Sequence, residues 1–343
     1  MAIEDLQYND WLADRASRPV HLVELTHTSG AVSRLSERAF RPADSQTAGQ
    51  LWRARLNSVD IDWGIDGGIG GYSELSVSRI KINNADRALD RWRDDAIAGV
   101  AIKLGDERWD AADFRTLITG NARRVKVGKV CEVEIRGNED NADTIKNISL
   151  SAALPGTMLQ TLLTTYGGYT TGDINTTRLS QLDTDYPYTI AAISGDFNLL
   201  DAADKVLSGL PVDWGSDFDG LITLFELSNA TGASSYREIK PVAVKEPEVK
   251  QPVWRVTLSG DFGDDETTER AATKTAYPAA IEINLKTHVS SSGDRDLLAN
   301  KLLDLYSAPR DLVKLSTDRR DRFTVGDEVK LVFPGLGYDS GRY

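Results

Sequence analysis

Alternation of apolar and polar residues along the chain predicts mostly β-strands. In RPVHLVELTH, residues 18–27, every second position places His21, Val23, Leu25 and His27 on one face. The same two-residue period recurs in ELSVSRIKIN, AGVAIKLGDERW, RRVKVGKVCEVEIRG, VWRVTLSGDF and AAIEINLKTHV. This period is that of a strand with one buried face, so the pattern predicts a mainly β protein.

Four stretches have helical spacing instead. They are NNADRALDRWRDD with Asn84 as its cap, SAALPGTMLQTLLTTYGG ending at Gly167-Gly168, NLLDAADKVLSGLP, and SSGDRDLLANKLLDLYSAPR with Ser292 as its cap. Apolar residues recur every three or four positions in the last three, and Gly or Pro follows each end. The segment from 170 to 192 is polar and rich in turn residues, and we expect it to be irregular.

Composition changes near residue 146 and again near residue 240. Residues 240–252, KPVAVKEPEVKQP, contain three prolines, which predicts an extended crossing segment with few hydrogen bonds. We therefore predict two tube-like β-barrel or sandwich domains that flank a small α+β domain. The predicted boundaries are 1–145 for the first β domain, 146–239 for the α+β insert and 240–343 for the second β domain.

The two β regions share an order of elements. RRVKVGKVCEV (123–133) and DRFTVGDEVKLV (321–332) each have a basic start, a Val-Gly pair and an alternating strand. A strand, a capped helix and a strand precede both, which predicts a duplication of one β domain. The alternative is a chance match between two strand-helix-strand units. The last twenty residues predict a hairpin around a Pro-Gly turn.

Charge and cysteine content exclude several classes of protein. The chain has 52 Asp and Glu against 40 Lys and Arg, a net charge of −12, which argues against a sequence-reading nucleic-acid binder. The single cysteine, Cys131, lies on the apolar face of a predicted strand, so we expect a buried, inert thiol rather than a nucleophile. No apolar run is long enough for a membrane span, and the acidic start is unlike a signal peptide.

Histidine placement argues against a metal site or a His-based catalytic site. His21 and His27 are about 20 Å apart along one strand at ~3.3 Å per residue, too far to share a metal ion. His288 falls on the polar face of a predicted strand, and we expect it to be exposed. The sequence has no HExxH, Cys-His cluster or G-x-S-x-G motif.

Two further patterns are more simply explained as loops and turns. GIDGGIGGY (64–72) lacks the Lys-Ser/Thr pair of a phosphate loop and precedes a strand rather than a helix. The acidic turns at 213–220 and 259–269 lack the ligand spacing of a calcium loop and predict hairpins. We therefore predict no catalytic, cofactor-binding or metal-binding residue, and no enzyme.

Four stretches resemble the baseplate or tail-tip hub proteins of long-tailed bacteriophages and related gene-transfer particles. They are WRARLNSVDIDWGIDGG with SELSVSRIKINNADRALDRW, DAADKVLSGLPVDWGSDFDGLITLFEL, VWRVTLSGDF, and the C-terminal NKLLDLYSAPRDLVKLSTDRRDRFTVGDEVKLVFPGLGYDSGRY. The turn Val325-Gly326-Asp327-Glu328-Val329 is similar to a turn of that family. Together the four stretches span most of the chain, although none is diagnostic of a chemistry.

The resemblance implies a structural virion protein that acts by assembly. Such hubs are homotrimers in which two β domains per chain make a pseudo-sixfold ring between the sixfold tail tube and a threefold tip. The implied partners are tail tube or distal tail proteins, the tape measure protein, central tip or fibre proteins, and DNA that passes without sequence-specific contacts. The implied location is the tail tip or baseplate of the virion, after assembly in the host cytoplasm.

Two other functions remain open at this point. One is a receptor- or carbohydrate-binding β module, with Tyr166, Tyr169, Tyr186, Tyr188 and Trp214 of the insert as an aromatic platform. The same side chains are equally suited to a core. The other is a cell-wall-degrading tail enzyme, against which the missing catalytic motifs argue. The C-terminal DSGRY further predicts either a complementing strand from a neighbour or a longer natural chain.

Overall fold

The protein is mainly β, with helices concentrated in the middle and late parts of the chain, as the alternation predicts. The computed structural model describes residues 11, 18–41, 51–61, 71–72, 78–136, 145–217, 220–226, 237–239, 243–244, 248–260, 264–312, 315–316, 329–333 and 338–342. No helix in these ranges is both long and apolar enough to cross a bilayer.

The N-terminal strands form one sheet. They are β1 Pro19–His27, β2 Val32–Ser36, β3 Arg53–Ala54, β4 Leu56–Asp60, β6 Ser78–Asn83, β7 Ile97–Asp106, β8 Arg115–Lys126 and β9 Val130–Arg136, with β5 Gly71–Tyr72 outside the sheet. The order is β3-β2-β1-β7-β8-β9-β6-β4, antiparallel throughout except for the β2–β3 pair.

This sheet closes on itself at Arg55. Strands β3 and β4 lie at opposite ends of the sheet order but are separated in sequence by this one residue. The Arg55 N–H donates to the Ser36 carbonyl at 3.1 Å, and its carbonyl accepts from the Asn83 N–H at 2.7 Å. A single kinked segment thus bonds to both edges, which removes the exposed edges that an open sheet would have.

Side chains fill the barrel, so it is a packed core and not a channel. Buried residues that share this core include Leu25, Leu35, Ile80, Ile102 and Val133. On the opposite face of β1, a smaller cluster buries Val20, Leu22, Trp52 and Phe114. Strand β1 is therefore buried on both faces over much of its length, and its alternation does not mark a solvent face.

The loop between β6 and β7 contains less helix than the sequence predicted. Only Asp90–Arg93 are helical, as one 3₁₀ turn, and the residue before this turn makes no side-chain cap. Asn84 is therefore not a helix cap. It is fully buried, accepts from the Leu89 N–H at 2.8 Å, and donates to Asp90 Oδ1 and to the Gly128 carbonyl. Asn84 holds a turn against the neighbouring β8–β9 connection.

The rest of the chain alternates short strands with five α-helices in the described ranges. The strands are β10 Lys146–Leu150, β11 Ile193–Phe197, β12 Val212–Ser216, β13 Ile222–Glu226, β14 Arg237–Ile239, β15 Ala243–Val244, β16 Glu248–Lys250, β17 Val253–Gly260, β18 Asp265–Glu269, β19 Ile281–Thr287, β20 Arg310–Leu312, β21 Leu315–Ser316, β22 Val329–Phe333 and β23 Tyr338–Arg342. The helices are α1 Pro155–Thr161, α2 Thr176–Asp185, α3 Leu199–Leu207, α4 Ala271–Ala276 and α5 Ser292–Tyr306.

Three predicted helices and the hairpin β12–β13 are confirmed, with two corrections. Helix α1 continues as a π-helical segment, Leu162–Gly167, and ends at Gly168, whose φ of 76° is left-handed. The cap of α5 is Ser291 rather than Ser292, because the Ser291 hydroxyl accepts from the Asp294 N–H. Helix α2 was missed: its Asn175 cap and the Leu179–Leu182 spacing lie in a segment whose many polar residues predicted turns.

One hydrophobic core joins residues 148–224 to residues 253–306, and we call the structure around it the α+β unit. Strands β18, β17 and β19 form a three-stranded sheet, with β19 parallel to β17. The chain at Thr189–Ala191 is hydrogen-bonded to the chain at His288–Ser290. The boundary near residue 240 stays a prediction; the described residues on its two sides pack directly against each other.

Within residues 240–252, the described residues 243–244 and 248–250 lie in paired strands, so the expectation of few hydrogen bonds was wrong for them. Strand β15 pairs with β21, and β16 pairs with β20, both antiparallel. Pro252, the one of the three prolines that the structure describes, lies outside these short strands. The predicted C-terminal hairpin is confirmed by β22 and β23, while the Val325–Gly326 turn lies outside the described residues.

Candidate assembly surfaces

The three histidines lie in separate, largely buried places. His21 is 8% exposed, with its Nδ1 2.9 Å from Glu37 Oε1. The prediction that His288 is exposed was wrong: it is 9% exposed and its Nδ1 lies 3.1 Å from the Ser208 hydroxyl. His288 follows the last residue of β19, where the chain turns toward residue 191, so the strand alternation no longer applies to it.

His27 lies in a Ser-His-Asp arrangement. Its Nε2 is 2.8 Å from Ser33 Oγ, and its Nδ1 is 3.2 Å from the Asp95 carbonyl and 3.7 Å from the Asp95 carboxylate. Because only oxygen acceptors face Nδ1, the proton belongs there and Nε2 accepts from the Ser33 hydroxyl. This is the tautomer that a general base needs.

Other features of the same arrangement indicate a structural role. His27 is 4% exposed, so a substrate has no access to its ring. The Asp95 carboxylate accepts from Ser29 N, Ser29 Oγ and Thr28 Oγ1. Every backbone N–H from residue 27 to 31 already has an acceptor, which leaves none for an oxyanion hole. These hydrogen bonds hold the β1–β2 turn against Asp95, which follows the 3₁₀ turn Asp90–Arg93.

The five aromatic residues of the α+β unit form no exposed platform. Tyr186 and Trp214 are fully buried, Tyr188 is 7% exposed and Tyr169 is 8% exposed. Tyr166 is partly buried and its hydroxyl donates to the Ser149 carbonyl at 2.9 Å. A sugar-stacking surface made of these residues is therefore absent, since their faces are used in the core.

Tyr186 links two parts of the α+β unit. Its hydroxyl donates to Glu226 Oε1 at 2.7 Å, and the Lys301 ammonium lies 3.7 Å from the centre of its ring. Lys301 also donates to the Asp185 carbonyl at 3.1 Å. Burial first, and then the Glu226 carboxylate, raises the pKa of Tyr186 well above its ordinary value. The group is thus a neutral donor that joins α2, β13 and α5.

The remaining sequence candidates are structural where the structure describes them. Cys131 is fully buried in the barrel core, as predicted, and burial raises the pKa of its thiol. The two acidic turns connect β12 with β13 and β17 with β18, both antiparallel pairs. Most of the glycine-rich segment 64–72 lies outside the described residues. Nowhere in the described ranges do three or more metal-binding side chains form a group.

Asp106 is a buried carboxylate that fixes the start of the barrel. It is fully buried and accepts from Trp11 Nε1 at 2.8 Å and from the Arg18 N–H at 2.7 Å. The Arg108 guanidinium donates to both of its oxygens, at 2.6 and 2.9 Å. Burial acts to raise the pKa of Asp106, but Arg108 and the other donors outweigh it and hold the pKa below its ordinary value.

Asp204 is the opposite case, a partly buried carboxylate for which the described residues supply no ion-pair partner. It lies on α3, and within the described residues its Oδ1 has no hydrogen-bond partner. Burial raises the pKa of Asp204 from 3.8 to about 6; the nearby Asp201 carboxylate adds to the rise and the Trp214 indole opposes it. Ionisation of Asp204 near neutral pH therefore costs folding free energy.

We expect Asp204→Asn to stabilise the protein at pH 7.5 by about 1 kcal/mol. This is less than the ~3 kcal/mol that the pKa rise would give a fully buried group, because Asp204 is partly exposed. The pKa of Asp204 is raised by folding, so the wild type should lose stability relative to the variant as pH rises from 4 to above 6. Urea unfolding at pH 4 and 7.5 measures this difference. Asp196→Asn, at an exposed position, is the control, and equal shifts in both variants would contradict the prediction.

Two surface segments of opposite charge each contain several charged side chains that have no ion-pair partner among the described residues. The first, the basic hairpin, comprises residues 123–130 at the β8–β9 connection and reads RRVKVGKV. Arg123, Arg124 and Lys129 are exposed, and within the described residues none of them pairs with a carboxylate. Lys126 lies 3.6 Å from Glu132, and Val130 is 48% exposed.

The second is the acidic segment, residues 264–269, which reads DDETTE and includes strand β18. Asp264 and Asp265 are exposed and Glu266 is half-buried, and in the described part of the chain none of the three has a cationic partner. Glu269 pairs with Arg255 at 3.2 Å. Strand β18 is at the edge of its sheet, with β17 as its described neighbour.

Comparison with known proteins finds distant structural similarity only. No protein-family model matches the chain, and no curated protein matches it significantly. A tail protein from Neisseria meningitidis MC58 superposes with a TM-score of 0.48 at 8% identity, over 92% of this chain and 88% of that one. The 43 kDa tail protein of prophage MuSo2 from Shewanella oneidensis gives a TM-score of 0.45 at 8% identity, over 94% and 89% of the two chains.

A chain from the virion of a native gene transfer agent particle is also similar in part. It gives a TM-score of 0.33 at 13% identity, and the match covers 44% of this chain and 52% of that chain. With TM-scores below 0.5, none of these similarities assigns a family or a function to the chain.

Proposed function

We propose that the chain is a structural protein of a bacteriophage tail, the hub of a baseplate or tail tip. It forms a homotrimeric, pseudo-sixfold ring that joins the sixfold tail tube to the threefold tip and surrounds the DNA channel. The proposed domains are residues 1–145, 146–239 and 240–343. The partners are tube or distal tail proteins, the tape measure protein and central tip or fibre proteins, all within the virion.

The observation that carries this proposal is the presence of two β regions in one chain. The first is a closed barrel of eight strands around a packed core, and the second comprises the ladders β15–β21 and β16–β20 with the hairpin β22–β23. A ring of three chains then has six β regions around its axis, which satisfies a sixfold and a threefold partner together. Because the barrel interior is filled, a DNA channel has to lie between chains and not within one.

Two further points support a role in assembly over the alternatives. The five aromatic residues considered for carbohydrate binding are buried or bonded within the protein. The Ser33–His27–Asp95 arrangement lacks access and an oxyanion hole, so it offers an enzyme no working site. The solved structures with partial similarity bear names of the same class, tail proteins and a gene transfer agent virion, but at these TM-scores the chain's own features carry the proposal.

Solution mass and particle shape test the proposal together. We expect light scattering to give the mass of three chains, and negative-stain images to show rings with a central hole and a pseudo-sixfold outline. Addition of purified tail tubes that lack a tip should place these rings at one tube end. Chains that stay monomeric both alone and with tubes, and that bind neither tube end, would contradict the hub function.

A further inference from the structure

The basic hairpin and the acidic segment carry charges of opposite sign, and each presents three accessible charged side chains. The hairpin presents Arg123, Arg124 and Lys129 without carboxylate partners among the described residues, and the segment presents Asp264, Asp265 and Glu266 without cationic partners there. All six side chains are at least partly exposed, and among the described residues no ion pair joins the two sets. Unpaired charges of opposite sign on two patches of one chain favour contact between copies.

We propose that the basic hairpin of one copy binds the acidic segment of the next copy. The inference rests on the proposed ring and names the contact that closes it. The two patches are different surfaces, so the interface is heterologous: each copy uses its hairpin on one side and its acidic segment on the other. Such contacts close into a ring when the rotation between copies permits. Val130, 48% exposed beside Lys129, adds apolar area to the contact.

Nucleic acid fits the basic hairpin less well than a second copy does. Strand β9 follows the hairpin directly and carries Glu132 and Glu134, which lie between the basic residues of β6 and β8 in the sheet. Arg79 and Lys126 are already within 4.0 Å of these carboxylates. A phosphate backbone running along this face would meet both carboxylates. The acidic segment is short enough to contact the hairpin without reaching these carboxylates, and every copy of the chain contains such a segment.

Charge reversal and its compensation test the contact. One variant carries Arg123→Glu and Lys129→Glu, a second carries Asp264→Lys and Asp265→Lys, and a third combines all four changes in one chain. Arg178→Glu with Asp196→Lys is the matched control, because both residues are exposed and lie outside the two patches. Sedimentation measures association at 50 and 500 mM NaCl, and circular dichroism confirms that every variant is folded.

We expect each two-site reversal to weaken association at 50 mM NaCl at least about tenfold, and the combined variant to return to within about threefold of the wild type. Salt should weaken wild-type association by a similar factor, since exposed charges are screened at 500 mM. The control variant should associate like the wild type.

Several results would overturn the inference, and they separate it from the proposed function. Rings that form normally in both reversal variants leave the hub function standing but exclude this contact. A combined variant as weak as its two parents also excludes it, and so does a wild type that stays monomeric at both salt concentrations. Binding to a 30-base-pair duplex that is lost with Arg123→Glu and Lys129→Glu, while association is unchanged, would assign the hairpin to DNA instead.

Discussion

Gly156→Ala is expected to destabilise the protein by about 3 kcal/mol or more, although alanine is the better helix former. Gly156 lies in the first turn of α1, where its N–H donates to Asp183 Oδ1 at 2.6 Å. A Cβ added to it would be 2.0 Å from the Leu179 carbonyl oxygen and 2.9 Å from Asp183 Oδ1. The Leu179 oxygen is backbone within α2, so the two helices would have to move apart.

The matched control for this prediction is Gly172→Ala. A Cβ at Gly172 would lie 3.5 Å from Thr170 Oγ1, an ordinary contact, so we expect a change within about 0.5 kcal/mol. Urea unfolding followed by circular dichroism gives both midpoints. If Gly156→Ala unfolds at the same urea concentration as Gly172→Ala, the close approach of α1 to α2 is not as described.

Asp106→Asn is expected to cost about 3 kcal/mol, because it leaves a guanidinium and several N–H groups without their shared anion. The amide has one acceptor oxygen, and its NH₂ group faces donors that the carboxylate formerly accepted from, among them Arg108 and Trp11. Asp86→Asn is the control. Asp86 also binds an arginine, Arg55, at two oxygens, but its carboxylate is exposed and we expect a much smaller loss.

Acid unfolding distinguishes whether Asp106 stabilises the fold through its charge or through its packing. Folding lowers the pKa of Asp106 below its ordinary value of 3.8. The contribution of Asp106 to the free energy of unfolding is therefore complete above pH 3.8 and is lost as the pH falls below that value. The free energy that separates the wild type from Asp106→Asn should therefore be largest near neutral pH and shrink below pH 4. A difference that is constant from pH 7 to pH 3 would mean that Asp106 acts through packing and not through its charge.

The local pattern of the sequence predicted most of the elements. Alternation of apolar and polar residues identified β7, β17 and β19, since a strand with one face toward a core alternates whatever it packs against. Apolar spacing with Gly or Pro stops identified α1, α3 and α5, and a buried thiol was predicted at Cys131. The absence of ligand and nucleophile motifs was also readable, because those motifs are defined by short spacings.

Features that depend on contacts between distant residues were not predictable in this way. His288 alternates with apolar neighbours as an exposed residue would, yet it is buried because Ser208, 80 residues earlier, packs against it. Asn84 was predicted to cap a helix, but its side chain donates to the Gly128 carbonyl and accepts from the Leu89 N–H. In both cases a residue far along the chain supplied the partner that decided the local structure.

Residue pattern and composition alone were therefore enough to predict a mainly β, acidic protein with helices near residues 155, 200 and 295. The closure of the first sheet at Arg55, and the core that joins the insert to residues 253–306, became visible in the folded chain alone. Periodicity records which face of an element is buried, but the partner that buries this face lies elsewhere in the chain. Closure of the sheet, the shared core and the complementary surfaces all depend on which distant residues become partners.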